Sequence, residues 1–267
     1  MKFDISIITI PYKSEKHIGF LLDSIKKSKD GLKKQVIVIN NFLSDNSTKI
    51  AKNHPLKPIV IEPGQNLGFA KAVNLGLKKA QGEYVFLINP DTTLVGNCLK
   101  VLHDFAIKKK ELGAVAPKLV FPSNKAQPSV MRFPTIGNAI RHYFFGQKER
   151  FGKYLPKEKV AKVEVAVMAA FLIPTKVIKD LGGLDERFFL YYEDVEFCHR
   201  LKKAHLPIFY LSTAKVRHVH GASGNFVSHL KSPLAKSAIY YHGWLGSNLL
   251  NLTLWLGQKW QKFILRK

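Results

Sequence analysis

Four short β-branched runs, Ile5–Ile10, Val36–Ile39, Ile59–Ile61 and Tyr84–Ile88, constrain this chain most, because each is bounded by polar or turn-forming residues. Runs of that kind read as buried strands. Between them Ile18, Leu21, Leu22 and Ile25 recur at helical spacing, as do Ala70, Val73, Asn74 and Leu77, with Gly82 standing where the second helix would end. Strands joined by helical crossovers make a parallel, doubly wound sheet. Ligands of such sheets sit beyond the carboxyl ends of the strands. Those ends are Pro11-Tyr12, Asn40-Asn41 and Asn89-Pro90-Asp91. Asn, Asp and Pro favour turns anyway, so one such end says little; three on one sheet edge describe a crevice.

The second half is less regular. Phe121 to Lys162 has no sustained period and reads as loops and short helices. Val163 to Ile173 reads as one buried strand, and Thr175 starts a helix that Gly182-Gly183 ends. A helix is expected over Glu193–Ala204, with Val195, Cys198, Leu201 and Lys202 in register, and a last strand over Ile208–Leu211. No internal repeat or low-complexity linker is visible.

The chain has 267 residues, 46% of them hydrophobic, which is an ordinary globular proportion. Charge is the anomaly: 42 Lys+Arg against 19 Asp+Glu give +23. A chain so basic is drawn to polyanions such as nucleic acid, anionic headgroups or phosphorylated ligands. Two cysteines, Cys98 and Cys198, cannot make a disulfide framework, so a reducing compartment is expected. The N-terminal run contains Asp4 and reads as a strand, not a signal peptide. Neither Val165–Pro174 nor Trp244–Gly257, which Ser247, Asn248 and Asn251 interrupt, matches the ~20 apolar residues of a membrane span.

Two segments carry chemistry. Asp91, directly after a hydrophobic strand, is placed to hold a divalent cation against a diphosphate. Glu193, Asp194 and Glu196 put three acids in four residues of a chain short of acids. A helix dipole accounts for one or two of them at ~0.3–1 kcal/mol each. It does not account for the aromatic wall Phe188-Phe189-Leu190-Tyr191-Tyr192 in front, which would desolvate a carboxylate and raise its basicity. No Gly-x-Gly-x-x-Gly or Walker-type loop is present, which argues against a nicotinamide enzyme or an ATPase.

In order, the pieces are Ile5–Tyr12; Val36–Asn41 with Ser44-Asp45-Asn46-Ser47; Asn66-Leu67-Gly68-Phe69-Ala70 with Asn74; Gly82-Glu83-Tyr84; and Asn89-Pro90-Asp91. Gly182-Gly183-Leu184-Asp185-Glu186, the Glu193-Asp194 helix, and His218 with Gly221 and Ser223 follow. Over roughly residues 3–224 this resembles the family 2 inverting glycosyltransferases of GT-A fold, in their rhamnosyltransferase-like branch. The resemblance implies an α/β fold, with a mainly parallel doubly wound sheet and flanking helices. It implies a GT-A domain over 1–231, its nucleotide-binding half about 1–117 and its acceptor-binding half about 118–231, followed by a tail over 232–267.

Roles follow position by position. Asp91 matches the metal-binding aspartate, with Asn89 where other branches have a first acid, and His218 matches a histidine that completes the metal or diphosphate site. Asp194 matches the general base. Thr9, Pro11, Tyr12, Asn40, Asn66 and Lys71 match positions around the nucleotide, and Asp185, Tyr192 and Glu193 positions facing the acceptor. The implied cofactor is Mn²⁺ or Mg²⁺, and the implied donor a dTDP- or UDP-linked sugar. The implied acceptor is a glycan or a polyprenyl-diphosphate-linked glycan at the cytoplasmic face of the membrane. The chain departs from the family in three places: Asn40 replaces an acid, Phe42-Leu43 replace small residues, and Pro11-Tyr12-Lys13 replace Thr-Tyr-Asn.

The tail carries Leu245, Leu249, Leu252, Leu256, Trp260 and Phe263 on one helical face, with Ser247, Asn251, Gln258 and Lys262 opposite. Such a stripe serves either packing on the domain or an anionic membrane surface; Trp255, Trp260, Lys262, Arg266 and Lys267 favour the membrane. Two rival readings exist. A nucleic-acid-binding protein would suit the charge, but the basic residues are scattered and no nucleic-acid motif appears, so no nucleic-acid partner is expected. A catalytically inactive nucleotide-sugar binder would suit Asn40.

Overall fold

The computed structural model describes residues 2–42, 44–219 and 232–264. The first half runs β1 (Phe3–Thr9), α1 (Ile18–Lys27), β2 (Lys34–Ile39), α2 (Ser47–Lys52), β3 (Ile59–Ile61), α3 (Phe69–Leu77) and β4 (Gly82–Ile88). The four strands are parallel in the order β3-β2-β1-β4. Their carboxyl ends therefore share one edge, as the strand pattern requires.

The second half contributes β5 (Thr92–Val95), α4 (Cys98–Ala106), β6 (Ala114–Val120), β7 (Ala126–Gln127), β8 (Val130–Met131) and α5 (Ile136–Tyr143). Then come β9 (Lys153–Tyr154), β10 (Val160–Val163), β11 (Val165–Ala166), β12 (Ala170–Pro174), α6 (Thr175–Leu181), α7 (Glu193–Lys203), β13 (Ile208–His218) and α8 (Pro233–Ile264). β12 inserts antiparallel between β4 and β6, and β13 lies parallel to β6, so one mixed sheet spans both halves.

Helices cover both faces. On one, Ile18, Leu21, Leu22 and Ile25 of α1 are fully buried with Leu99 and Leu102 of α4. On the other, Ala70 and Val73 of α3 join Val177 of α6 and Phe197 of α7. Cys98 and Cys198 are both buried and unpaired, one under each face.

Four sequence expectations need correction. Phe121–Lys162 is not only loops and short helices: besides α5 it carries β7, β8, β9 and most of β10. Gly82 does not end a helix: α3 stops at Leu77, and Gly82 opens β4. Its lack of a side chain lets the backbone pass against Ser6, whose hydroxyl accepts from the Gly82 N–H at 2.8 Å. Val163–Ile173 is not one strand. Val165–Ala166 pairs with β8, Val167 N–H donates to Ser129 O at 3.0 Å, and only Ala170–Pro174 enters the main sheet. Ile208–Leu211 is the start of a longer strand, which continues past an irregularity between Leu211 and Lys215 to His218.

Candidate active site

Asp91 and His218 meet through strand pairing. β5 runs antiparallel to β13 with Thr92 opposite His218, so the residue after β4 and the last residue of β13 become neighbours. His218 Nε2 lies 3.4 Å from Asp91 Oδ1, and each side chain is only 9% exposed. On the far side of the ring, Nδ1 is 3.0 Å from Gln127 Oε1 on β7. Burial pushes the Asp91 carboxyl up, but the hydrogen bond and charge of His218, with His17 farther off, outweigh it and hold the carboxyl below its ordinary value.

This donor set fits a hard divalent cation that keeps open positions. A carboxylate oxygen and an imidazole nitrogen are both suitable ligands. The described residues contain no group of three His, Cys, Asp or Glu that would cage an ion unaided. A cation here would complete its shell with oxygens from a ligand, as suits a diphosphate.

The second centre is the start of α7. Tyr191 and Tyr192 both adopt left-handed backbone angles, φ 70° and 68°, unusual for aromatic residues and a sign of a constrained loop. The turn presents Glu193 and Asp194 in the first helical turn. Glu193 is 7% exposed, and its Oε2 meets no hydrogen-bond partner among the described residues. Burial, then the charge of Asp194, pushes its carboxyl up to about 8. Asp194 keeps partial access to solvent, accepts from the Val195 N–H at 2.8 Å, and is also raised, chiefly by burial. Glu196 is occupied with Arg200 at 2.8 Å, which also holds the carbonyls of Leu181 and Gly183.

The sign for Glu193 is that of a raised acid. Its stabilising contribution is full below its unfolded-state value and is lost as pH rises toward about 8. Glu193→Gln is therefore expected to flatten the fall in Tm across that window and gain on the order of a few kcal/mol over the parent near its upper end. Thermal melts at the two ends of the window check this; parallel curves would refute it.

The Phe188–Tyr192 loop ahead of α7 is tied to the strand-end crevice. Asn41, at the end of β2, accepts from Leu67 N–H at 2.8 Å and donates to Gly68 O at 3.1 Å. Phe69 N–H then donates to Phe189 O at 2.7 Å. Gly68 has φ +76°, and a Cβ there would lie 2.5 Å from that Phe189 oxygen, so only glycine allows the approach. Asn74 clamps the same loop from α3, exchanging hydrogen bonds with Leu184 and reaching Glu186 at 3.0 Å.

The remaining sequence-derived residues are placed unevenly. Thr9 is fully buried at the end of β1. Pro11 O accepts from Asn41 N–H at 2.9 Å, and the Tyr12 ring stands edge-on to Phe42 at 5.0 Å with Lys13 Nζ near both. Asn66 accepts from Gly68 N–H at 2.9 Å, and Lys71 is exposed on the first turn of α3. Asn89 donates its N–H to Ala169 O at 2.9 Å. Asn40 is 1% exposed and its amide donates to Thr48 Oγ1 at 2.5 Å, so its side chain is engaged within the β2–α2 turn. Asp185 is bound by its neighbour Arg187 at 2.6 Å, and that guanidinium holds its carboxyl down. Gly221, Ser223, Arg266 and Lys267 lie outside the described residues, as does Leu43.

Sequence reading missed Gln127 and Tyr241. Gln127 sits in the irregular 121–162 segment, where nothing signals that a two-residue strand will bring it to His218. Tyr241 and His242, in the tail, pack on Tyr192 with ring centroids at 5.4 and 5.7 Å. Burial raises the Tyr192 hydroxyl to about 12 and lowers His242, so both are neutral near pH 7.

The glycosyl transferase family 2 model matches residues 6–179. An N-acetylglucosaminyl-diphospho-decaprenol L-rhamnosyltransferase of Mycobacterium tuberculosis is 24% identical, covering 89% of this chain and 85% of that protein. The low-salt glycan biosynthesis hexosyltransferase Agl10 of Haloferax volcanii is also 24% identical, over 77% of this chain and 64% of its own length. Among solved structures, S. aureus TarS superposes with TM-score 0.60 at 21% identity over 81% of this chain, which spans 37% of TarS. GalNAc-T7 with UDP, GalNAc and Mn²⁺ gives 0.63 at 12% identity, over 90% of this chain and 47% of its own. The shared mixed sheet flanked by helices is the GT-A fold, and the chain belongs to glycosyl transferase family 2.

Proposed function

We propose that the chain is an inverting glycosyltransferase of cell-surface glycan assembly. It moves a rhamnose-like or other hexose from a UDP- or dTDP-linked donor to a hydroxyl of a glycan carried on polyprenyl diphosphate. The observation that carries this reading is the pairing of two unlike acids. Asp91 is held ionised beside His218. Asp194 is raised, partly accessible, and fixed by a constrained turn to the same sheet edge.

Each residue then has a task. Asp194 accepts the proton of the acceptor hydroxyl as that oxygen attacks the anomeric carbon from the side opposite the diphosphate. The bond from that carbon to the diphosphate oxygen breaks, and the nucleoside diphosphate leaves with the electron pair, so the configuration inverts. Asp91 and His218 would hold Mn²⁺ or Mg²⁺, which when bound neutralises charge growing on the departing diphosphate. Lys71, exposed on the first turn of α3, is the cation this reading assigns to the donor phosphates. Tyr12 and Phe42 offer an aromatic wall to the nucleobase, with Thr9, Pro11, Asn40 and Asn66 shaping the crevice around it. Asp185 and Tyr192 border the acceptor, whereas Glu193, expected to face it, is buried and neutral and instead keeps a second negative charge away from Asp194. Residues 1–117 form the nucleotide side and 118–231 the acceptor side, with the tail following.

Donor use and a polyprenyl acceptor place the enzyme on the cytoplasmic face of a membrane, bound peripherally. Among the described residues no helix is long and apolar enough to cross one. A thermal-shift panel of nucleoside diphosphates and nucleotide sugars with Mn²⁺, run beside an RNA oligomer, tests the reading. At 100-fold over its dissociation constant a ligand stabilises by ~2.7 kcal/mol. A metal-dependent rise with UDP or dTDP compounds is expected; a rise with RNA alone would favour a nucleic-acid binder.

A further inference from the structure

All three tryptophans of the chain stand on α8, and all face outward: Trp244 is 70% exposed, Trp255 52% and Trp260 44%. Leu249, Leu252 and Leu256 are exposed beside them. The helix is seated by its other side, where Ser247, Leu250 and Gly257 are buried. Gly257 lies against Tyr143 of α5, so closely that a Cβ would come within 2.5 Å of the tyrosine. Ordinary surface helices do the reverse, burying the apolar stripe and showing the polar one. Packing on the domain is thus achieved with small residues and Leu250, and the rest of the apolar stripe is left over.

The apolar face does not stop at α8. Phe144 packs 6.2 Å from Trp260, and Phe145 beside it is 71% exposed. A contiguous patch of this kind on a monomer marks an interaction surface. Its charge says what covers it. From Phe197 to Lys267 the sequence has no Asp or Glu, while Lys259 Nζ lies 3.9 Å over the Trp255 ring and Arg141 of α5 and Lys262 of α8 are exposed on the same two helices. A second copy would oppose two cationic faces. An anionic bilayer complements both the cations and the indoles, which favour the headgroup level.

We propose that the outer face of α8, extended by Phe144 and Phe145 at the end of α5, lies in the headgroup layer of an anionic membrane. This deepens the lipid-borne acceptor reading and rests on it only for its purpose. The same helix also braces the loop ahead of Asp194: Ser237 Oγ donates to Leu190 O at 2.9 Å and Tyr241 covers Tyr192, while Gly243, at φ 74°, forms an elbow between that brace and the membrane face. One element therefore sets the attitude of the acceptor site toward the bilayer.

The test uses the full chain with phosphatidylcholine vesicles, with and without phosphatidylglycerol. Tryptophan emission should shift to the blue and the protein should co-sediment only with the anionic vesicles, since every tryptophan lies on this face. Leu249→Ser/Leu252→Ser/Trp255→Ser/Leu256→Ser should weaken vesicle affinity at least about tenfold, and Phe145→Ser alone by less. Both variants change exposed side chains, so melting and metal-dependent nucleotide binding should be retained, which separates this result from a failure of the glycosyltransfer reading. Parent-like vesicle binding by the fourfold variant would overturn the proposal. So would a dimeric parent that the same variant dissociates, which would make the face a contact between copies.

Discussion

Asp194→Asn is expected to lower kcat by about 10²–10⁴ while leaving the donor dissociation constant nearly unchanged. Asparagine keeps the size and accepts the Val195 N–H, but it cannot take a proton from the acceptor. The raised carboxyl has a second consequence. The acid limb of the parent pH–rate profile should lie above the ordinary carboxylate range, because Asp194 works only when ionised. Glu193→Gln should be milder, since Glu193 is buried and neutral near pH 7. Steady-state kinetics on the two variants decides the matter: an inactive Glu193→Gln beside an active Asp194→Asn would reverse the assignment.

Asp91→Ala has the second large effect. It removes one of the two side chains proposed to hold the cation, so affinity for UDP with Mn²⁺ should fall at least about 100-fold. The fold should survive. Asp91 makes its tertiary link through its main chain as well, its carbonyl accepting from the Val219 N–H at 3.0 Å, and His218 retains Gln127. The folded-state carboxyl is lowered, so whatever stability it contributes is present above its unfolded-state value and lost in acid. Calorimetry of UDP with and without Mn²⁺ measures the loss; unchanged affinity would remove Asp91 from the metal site.

Much of this site lay open in the sequence because it is local. The strand ends follow from period and turn chemistry, and Asp91 and the Glu193-Asp194 helix are each visible within a few residues. What stayed hidden depends on long-range pairing. Nothing near Gln127 announces His218, 91 residues away, and the turn between β11 and β12 is masked by the unbroken apolar run Val165–Ile173. Gly82 looked like a helix stop because glycine serves both helix ends and close backbone contacts. The tail's stripe was plain, but only its seating on α5 shows that the stripe faces out and the small residues face in.

The central claim is transfer with inversion at this site. Its most direct measurement is the anomeric configuration of the product, followed by NMR, when the chain is supplied with Mn²⁺, a panel of UDP- and dTDP-sugars and a short polyprenyl-diphosphate glycan acceptor. One donor should be consumed, with its sugar appearing on the acceptor in the opposite anomeric configuration. Retained configuration would contradict the role given to Asp194, and nucleotide binding without consumption of any donor would make the chain an inactive binder.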